Sequence, residues 1–87
     1  MSVKFSSHAL KRIKERFIAK QTILNSLNNP DKLEKSIKDP NRFLVKKLYF
    51  NRHFQKEHLL IIIFEENKNI KEIVTIIDTS KINKYLS

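Results

Sequence analysis

The run Leu59 to Phe64 (L-L-I-I-I-F) limits the fold of this chain more than any other segment. A strand with one face in water alternates apolar and polar residues, but this run is apolar on both sides. We therefore expect a central strand with both faces covered. The run is much shorter than the roughly 20 residues that a membrane-spanning helix needs. The sequence predicts a globular domain with no membrane span.

Helices and further strands are predicted around this run. Val3 to Phe5 is a candidate edge strand, followed by one helix from about Ser7 to Phe17 and a second from about Lys20 to Asn28, where Asn28-Asn29-Pro30 ends it. Strands are predicted at 31–38, 42–52, 57–65 and 70–78, with a short helix from Thr79 or Ser80 through Leu86. Residues 1–87 are thus predicted to form one α+β domain, in which two N-terminal helices pack on a four-stranded antiparallel sheet.

The charge of the chain indicates an anionic partner. Eighteen Lys and Arg residues against nine acidic residues give a formal net charge of +9. A small domain this basic is typical of proteins that bind a polyanion or an acidic protein. The alternative is compositional drift, because a chain rich in Lys, Ile and Asn is also what an AT-rich genome encodes.

Two residue types are missing altogether, and their absence excludes several classes of site. Without cysteine there are no disulfides and no thiolate metal sites, and without glycine the glycine-dependent phosphate loops cannot exist. The three scattered histidines lack metal-ligand spacing, so we expect no metal and no cofactor. Charged residues near the N-terminus interrupt any signal-peptide core, and we expect a cytoplasmic protein.

The first predicted helix carries a polar row beside its apolar face. In Ser7 to Arg16 (S-H-A-L-K-R-I-K-E-R), Leu10, Ile13 and Phe17 share the core-facing side. His8, Arg12 and Arg16 form the adjoining row, where polar groups can be held against a partner or a phosphate. The structural alternative is a His8 satisfied by a backbone carbonyl, with the arginines paired to Asp78, Glu72 or Glu15.

A lysine on the strand 42–52 is the next candidate cation. Phe43, Val45 and Tyr49 share one face with Lys47, whereas Leu44, Leu48 and Phe50 share the other with Lys46. One of these lysines therefore lies among apolar residues on the face toward the helices. It either holds a phosphate beside the helix row or extends its amine to water at the edge.

The hairpin loop around residues 51–57 is polar and basic. Arg42, Arg52, His53 and Lys56 are the predicted nucleic-acid-binding residues, and the loop is their centre. His53 and His58, which flank the loop, are both predicted to be exposed. Tyr49, Phe50 and Phe54 either stack on bases or belong to the core, and the core is the commoner place for such residues.

These residues together resemble a known family. H-A-x-x-R-x-x-x-R (8–16), I-x-x-x-x-I-L-x-x-L-x-N-P (18–30) and I-V-T-I-I-D (73–78) are similar to a small uncharacterised DUF family marked by that helix motif. The family is grouped with RelE/ParE-type toxins and with ribonucleases such as barnase and colicin D. Many members have glycine where this chain has Phe17, which predicts a different turn after the helix.

The resemblance implies a RelE-like fold and a metal-independent endoribonuclease of a toxin–antitoxin pair, of the mRNA interferase type. It implies His8 as base or acid, Arg12, Arg16 and Lys46 or Lys47 as phosphate ligands, and Thr75 as a hydrogen-bond donor to the phosphate. The implied partners are RNA, with or without the ribosome, and an acidic antitoxin, and a homodimer is compatible with them. Two alternatives stay open: a non-catalytic RNA- or protein-binding module, and a ParE-like toxin with a protein target.

Overall fold

A computed structural model describes residues 2–86, which form one five-stranded sheet and three short helices. In chain order the elements are β1 (Ser2–Phe5), α1 (Ser7–Glu15), α2 (Lys20–Asn28), β2 (Lys32–Lys35), β3 (Arg42–Asn51), β4 (Lys56–Asn67), β5 (Ile70–Thr79) and α3 (Ile82–Leu86). The strand order is β1-β5-β4-β3-β2. Within residues 2–86 no helix is long and apolar enough to cross a membrane.

The prediction of two helices on a four-stranded antiparallel sheet is wrong. The sheet has five strands and is mixed, because β1 pairs in parallel with β5, from Ser2 opposite Ile70 to Phe5 opposite Ile73. The candidate edge strand at Val3 to Phe5 is confirmed, but its pairing is not predictable from its neighbours in sequence. A parallel partner lies far along the chain and leaves no hairpin turn as a signal. The pairing covers backbone groups of β5 that would otherwise form an open edge.

The apolar run lies in the middle of the sheet, as predicted. In β4, every second residue (Leu60, Ile62 and Phe64) points toward α1 and α2, while Leu59 and Ile61 point to the opposite face of the sheet. All five side chains are buried. The core on the helix side consists of apolar residues from both helices, the turn between them and three strands: Ala9, Ile13, Ile18, Ile23, Val45, Leu60, Ile62, Phe64, Ile73 and Ile76. Helix α3 also contacts β4.

Helix α1 is fixed to β5 at its first turn. The Ser6 hydroxyl accepts a hydrogen bond from the Ala9 N–H over 3.0 Å and donates one to the Val74 carbonyl over 2.8 Å. Ser6 is therefore the N-cap of α1, and it stabilises the helix start by about 1 kcal/mol. Since this serine also bonds β5, the helix runs along β5 toward the end of the sheet where Asp78 lies.

At its other end α1 closes with a left-handed residue. Phe17 has a φ of 58°, the Phe17 N–H donates to the Lys14 carbonyl over 3.4 Å, and the Ile18 N–H donates to the Ile13 carbonyl over 2.9 Å. This is the Schellman arrangement, in which glycine is the usual left-handed residue. Phe17 thus adopts the conformation that favours glycine. The prediction that its side chain faces the core is wrong, because it is 63% exposed.

Candidate functional site

A histidine and an aspartate form a buried pair where β4 begins and β5 ends. The Nδ1 atom of His58 lies 3.1 Å from Oδ1 and 3.0 Å from Oδ2 of Asp78. Their side chains are only 6% and 3% exposed. The alternation of side chains along a strand explains this placement. His58 is two residues before the inward-facing Leu60 and therefore points inward too, and Asp78, two residues after the inward-facing Ile76, does the same.

The aspartate fixes which ring nitrogen of His58 carries a proton. An ionised carboxylate can only accept hydrogen bonds, so Nδ1 of His58 must be the donor. In the neutral ring this leaves a lone pair on Nε2. Among residues 2–86 this Nε2 atom has no hydrogen-bond partner, although it is closed to solvent. The pair therefore presents a proton acceptor that the described fold leaves unused.

Tyr49 and Asn51 extend the pair into the hairpin loop. The Tyr49 hydroxyl donates to Oδ1 of Asp78 over 2.6 Å and accepts from Nδ2 of Asn51 over 2.9 Å. The Asn51 Oδ1 atom accepts the backbone N–H of Phe54 over 3.0 Å. Burial raises the pKa of the Tyr49 phenol, and its hydrogen bond to the Asp78 carboxylate raises it further. The phenol stays a donor at neutral pH and holds Asp78 in place.

A cavity of about 290 Å³ opens beside this pair. Three cationic residues line it together with the histidine–aspartate pair. The full lining is Arg16, Phe54, Lys56, His58, Asp78, Thr79, Ser80 and Lys81. The Phe54 ring stacks on His58 with centroids 5.4 Å apart and covers it on one side. We call this place the dyad pocket. Its cations suit a phosphate, and its histidine can accept a proton when Nε2 is opened to a ligand.

The predicted row on α1 does not converge on one site. Arg16 lines the dyad pocket, whereas His8 is exposed in the first turn. Eight residues of helix separate the two by about 12 Å along its axis. Arg12 lies between them, half-buried, and its Nε atom is enclosed without a partner within the described residues.

The alternative ion pairs of that row are not formed in the described part of the chain. Salt bridges from Arg12 or Arg16 to Asp78, Glu72 or Glu15 do not occur among residues 2–86. Asp78 bonds Tyr49 and His58 instead.

The two strand lysines point to opposite faces, and both are paired. Lys46 lies on the face away from α1 and α2, with its Nζ atom 2.8 Å from Oε1 of Glu34. Lys47 shares the inward row with Val45, but its Nζ atom is 3.4 Å from Oδ1 of Asp31. Thr75 pairs with Ile63 and faces the same side as Lys46. Neither lysine nor Thr75 lines the dyad pocket.

The predicted nucleic-acid-binding residues divide into two places. Arg52, His53 and Lys56 lie at the hairpin, and all three are exposed. Arg42 begins β3, about 30 Å away along the strand. It forms a 2.9 Å ion pair with Glu65. The hairpin is therefore the basic end of the sheet that adjoins the dyad pocket.

The histidine of the pair is the residue that sequence reasoning missed. His58 was expected to be exposed, and this is wrong, because it is 5% exposed. The predicted strand 57–65 already contained His58, but the polar neighbours Lys56 and Glu57 led to its being grouped with the exposed loop. The alternation His58, Leu60, Ile62, Phe64 is the signal that identifies its inward position.

The comparisons with known proteins identify a family and nothing finer. A family model described as a domain of unknown function, DUF4258, matches residues 5–82. No curated protein and no solved structure shows a significant match to the chain. Within residues 2–86 no cluster of three or more His, Asp and Glu side chains is arranged to hold a metal ion.

Proposed function

The chain belongs to the DUF4258 family, and from this premise we propose that it cleaves single-stranded RNA in the dyad pocket, as a toxin-like ribonuclease. One observation carries the proposal: His58, whose ring is oriented by Asp78 so that its enclosed Nε2 has no partner among residues 2–86, lines a pocket together with Arg16 and Lys56. A general base next to phosphate-binding cations is the minimum that RNA transesterification requires.

The reaction assigns a task to each of these groups. His58 Nε2 takes the proton of a ribose 2′-OH, and the 2′-oxygen attacks the adjacent phosphorus. The bond from phosphorus to the 5′-oxygen breaks, a 2′,3′-cyclic phosphate forms, and the leaving 5′-oxygen takes a proton from water, whose hydroxide then takes the proton back from His58. Arg16 and Lys56 stabilise the added charge on the phosphoryl oxygens. Asp78 stabilises the imidazolium, as carboxylates that orient a catalytic histidine do.

His58 fits this role better than His8, which the family resemblance had suggested. His8 is exposed and lies about 12 Å from Arg16 along α1. None of the hydrogen bonds within residues 2–86 orients its ring. A general base needs a fixed tautomer and a nearby phosphate site, and His58 has both.

A second candidate function is RNA binding without cleavage. It is favoured by the burial of Nε2 and by the stacking of Phe54 on the ring, because a histidine closed in this way contributes to stability without meeting a substrate. The basic hairpin would then bind the RNA backbone by itself, with an affinity that falls steeply with salt.

A toxin-like function would also imply particular partners and a particular location for the protein. With a net charge of +9, the chain suits RNA as substrate and an acidic antitoxin as inhibitor. The resemblance to a family grouped with RelE-type toxins, which rests on the helix motif around His8, favours the same interpretation. Such an activity belongs in the cytoplasm, where messenger RNA is found.

The test is a cleavage assay with His58→Asn. The Asn amide retains a donor for Asp78 but has no basic lone pair, so the substitution removes the base with little change in the pocket. We expect the wild type to cut a single-stranded RNA to cyclic-phosphate ends with EDTA present. The variant should be slower by about 10²- to 10⁴-fold.

The matched control is the same substitution at the exposed histidine, His8→Asn. It should leave cleavage within about twofold of the wild type, since that ring touches no group of the dyad pocket. Equal loss in both variants, or loss only in His8→Asn, would contradict the role of His58. RNA that stays intact with the folded wild type but is bound in a salt-dependent manner would favour the binding module. Growth arrest on expression with intact RNA would favour a protein target.

A further inference from the structure

Phe17 is exposed in a conformation that phenylalanine disfavours. Its backbone has a φ of 58°, and its ring is 63% exposed. The ring stacks on His53 at 3.9 Å between centroids, with the planes 15° apart. Strained positions of this kind concentrate at ligand-binding sites, where the side chain is needed despite its cost.

A second cavity lies beside the end of β3 and the start of the hairpin loop. It has a volume of about 390 Å³, within the range of about 300–1,000 Å³ of small-ligand sites. Phe17, Phe50 and Arg52 line it, together with Ile18, Ala19, Thr22, Tyr49 and Asn51. Phe50 is 58% exposed, so two aromatic rings and one guanidinium border an open space. We call it the aromatic pocket.

The two pockets adjoin each other through consecutive residues. Arg16 lines the dyad pocket and Phe17 lines the aromatic pocket, with Cα atoms about 3.8 Å apart. The combined lining of the two pockets contains four cationic residues, Arg16, Arg52, Lys56 and Lys81. Its only acidic member is Asp78, which is already bonded to His58 and Tyr49. This charge matches a phosphate chain that runs from one pocket to the other.

We propose that the aromatic pocket binds an unpaired nucleobase of single-stranded RNA, stacked on Phe17, next to the phosphate held in the dyad pocket. The choice of RNA rests on the proposed function. Aromatic rings interleaved with cations are how proteins bind unpaired nucleotides, because stacking accepts any base and the cations follow the backbone. A base within a duplex is already stacked on its neighbours and is not available to this ring.

The test measures base stacking apart from cleavage. A fluorescent eight-nucleotide single-stranded RNA and the same oligonucleotide without bases are titrated with His58→Asn protein, so that neither is cut. We expect the RNA with bases to bind more tightly. Both Phe17→Gly and Phe17→Ala should remove roughly 5- to 150-fold of that preference. Affinity for the oligonucleotide without bases should not change, since the cations stay.

Three comparisons make the result specific. Phe17→Trp, which keeps a stacking ring, should retain the preference, and Tyr85→Ala removes an exposed aromatic residue that lines neither pocket and should have no effect. A preference that survives both Phe17→Gly and Phe17→Ala would overturn the proposal. A duplex that binds as tightly as the single strand would also overturn it.

The outcomes separate this inference from the proposed function. If His58→Asn abolishes cleavage but Phe17 variants bind RNA normally, the base pocket is wrong and the ribonuclease stands. If no RNA is cut but the base preference depends on Phe17, the base pocket stands and the ribonuclease is wrong.

Discussion

The backbone N–H of Ile18 donates to the carbonyl of Ile13 over 2.9 Å, and both side chains lie in the core. This bond reverses the chain after α1 and forces the intervening Phe17 into the left-handed region. Ile13 and Ile18 thus provide the apolar residues that usually flank such a turn, but the left-handed position holds Phe17 in place of the usual glycine. The turn is held by its surroundings against the preference of the residue within it.

Glycine should therefore be better than alanine at this position. Both Phe17→Gly and Phe17→Ala remove the ring, but only alanine keeps a Cβ in the left-handed region, which costs about 1–2 kcal/mol. Glycine loses about 0.5–1 kcal/mol of that advantage through its freer unfolded state. We expect Phe17→Gly to exceed Phe17→Ala in free energy of unfolding by about 0.5–1 kcal/mol, measured by urea denaturation.

Lys11 provides the matched control for this comparison. It is exposed within α1, where glycine is worse than alanine by about 1 kcal/mol. Lys11→Gly should therefore be less stable than Lys11→Ala, the opposite order. The same order at both positions would contradict the strain assigned to Phe17.

The phenol of Tyr49 should titrate above its ordinary range of about 10. Burial and the bond to Asp78 both raise its pKa, because each disfavours the phenolate. In Tyr85→Phe protein, Tyr49 is the one phenol left in the chain. Its ionisation can then be followed by ultraviolet absorbance while circular dichroism monitors the fold.

Asp78→Asn in the same background isolates the contribution of the carboxylate. The pKa of Tyr49 should fall but stay raised, since burial is the larger cause. A phenol that titrates near 10 in the folded protein with Asp78 intact would contradict the network around the dyad.

Most of the individual elements were predictable from sequence, whereas the closure of the sheet and the core of the site were not. Local patterns predicted β3, β4 and β5 because strand alternation and turn residues are properties of neighbouring positions. The pairing of β1 with β5 depends on residues about 68 positions apart, and no local pattern encodes it.

The site was predictable in part for a related reason. Arg16 and Lys56 were expected to contact nucleic acid, and the fold places both at the dyad pocket. The pair of His58 and Asp78 was missed because a run that is apolar on both faces hides its own register. When the alternation of inward-facing residues is continued by two positions, from Leu60 back to His58 and from Ile76 on to Asp78, both polar residues are found to point inward.

Acid should weaken the fold through two carboxylates on β2 and the turn before it. The Leu48 N–H lowers the pKa of Asp31, and the hydrogen bond from Lys46 lowers that of Glu34. A lowered folded pKa gives stability that is complete above the ordinary carboxyl pKa of about 4. It is lost as pH falls through the lower folded values.

The loss of stability with falling pH should therefore be smaller when one of these carboxylates is removed. Glu34→Gln should lose stability relative to the wild type at pH 7 but less so near pH 3, by thermal denaturation. Glu15→Gln, which removes an exposed acid on α1, is the matched control and should change stability at pH 7 by no more than about 0.5 kcal/mol. Parallel profiles for Glu34→Gln and wild type would show that the Lys46 pair contributes nothing.

Asn51→Ala should loosen the hairpin over the dyad. Asn51 is 2% exposed and bonds both the Tyr49 hydroxyl and the Phe54 N–H. Its loss leaves both without that partner, and we expect a cost of about 1–3 kcal/mol in free energy of unfolding. Amide hydrogen exchange at Phe54 should accelerate as its ring leaves His58.

Asn25→Ala is the corresponding control. Asn25 is exposed on α2, and its side chain bonds only the Gln21 amide among the described residues. Its substitution should change stability by no more than about 0.5 kcal/mol. If Phe54 exchanges at the wild-type rate in Asn51→Ala, the loop is fixed by other contacts.

The parallel pairing of β1 with β5 has a consequence for synthesis on the ribosome. The Ser6 hydroxyl that caps α1 also bonds Val74, and His58 bonds Asp78, so the anchoring of the first helix and the dyad both depend on the last strand. Contacts of such long sequence separation form late and slowly. A nascent chain that stops before β5 has no dyad, and the proposed cleavage of RNA therefore requires translation past residue 78.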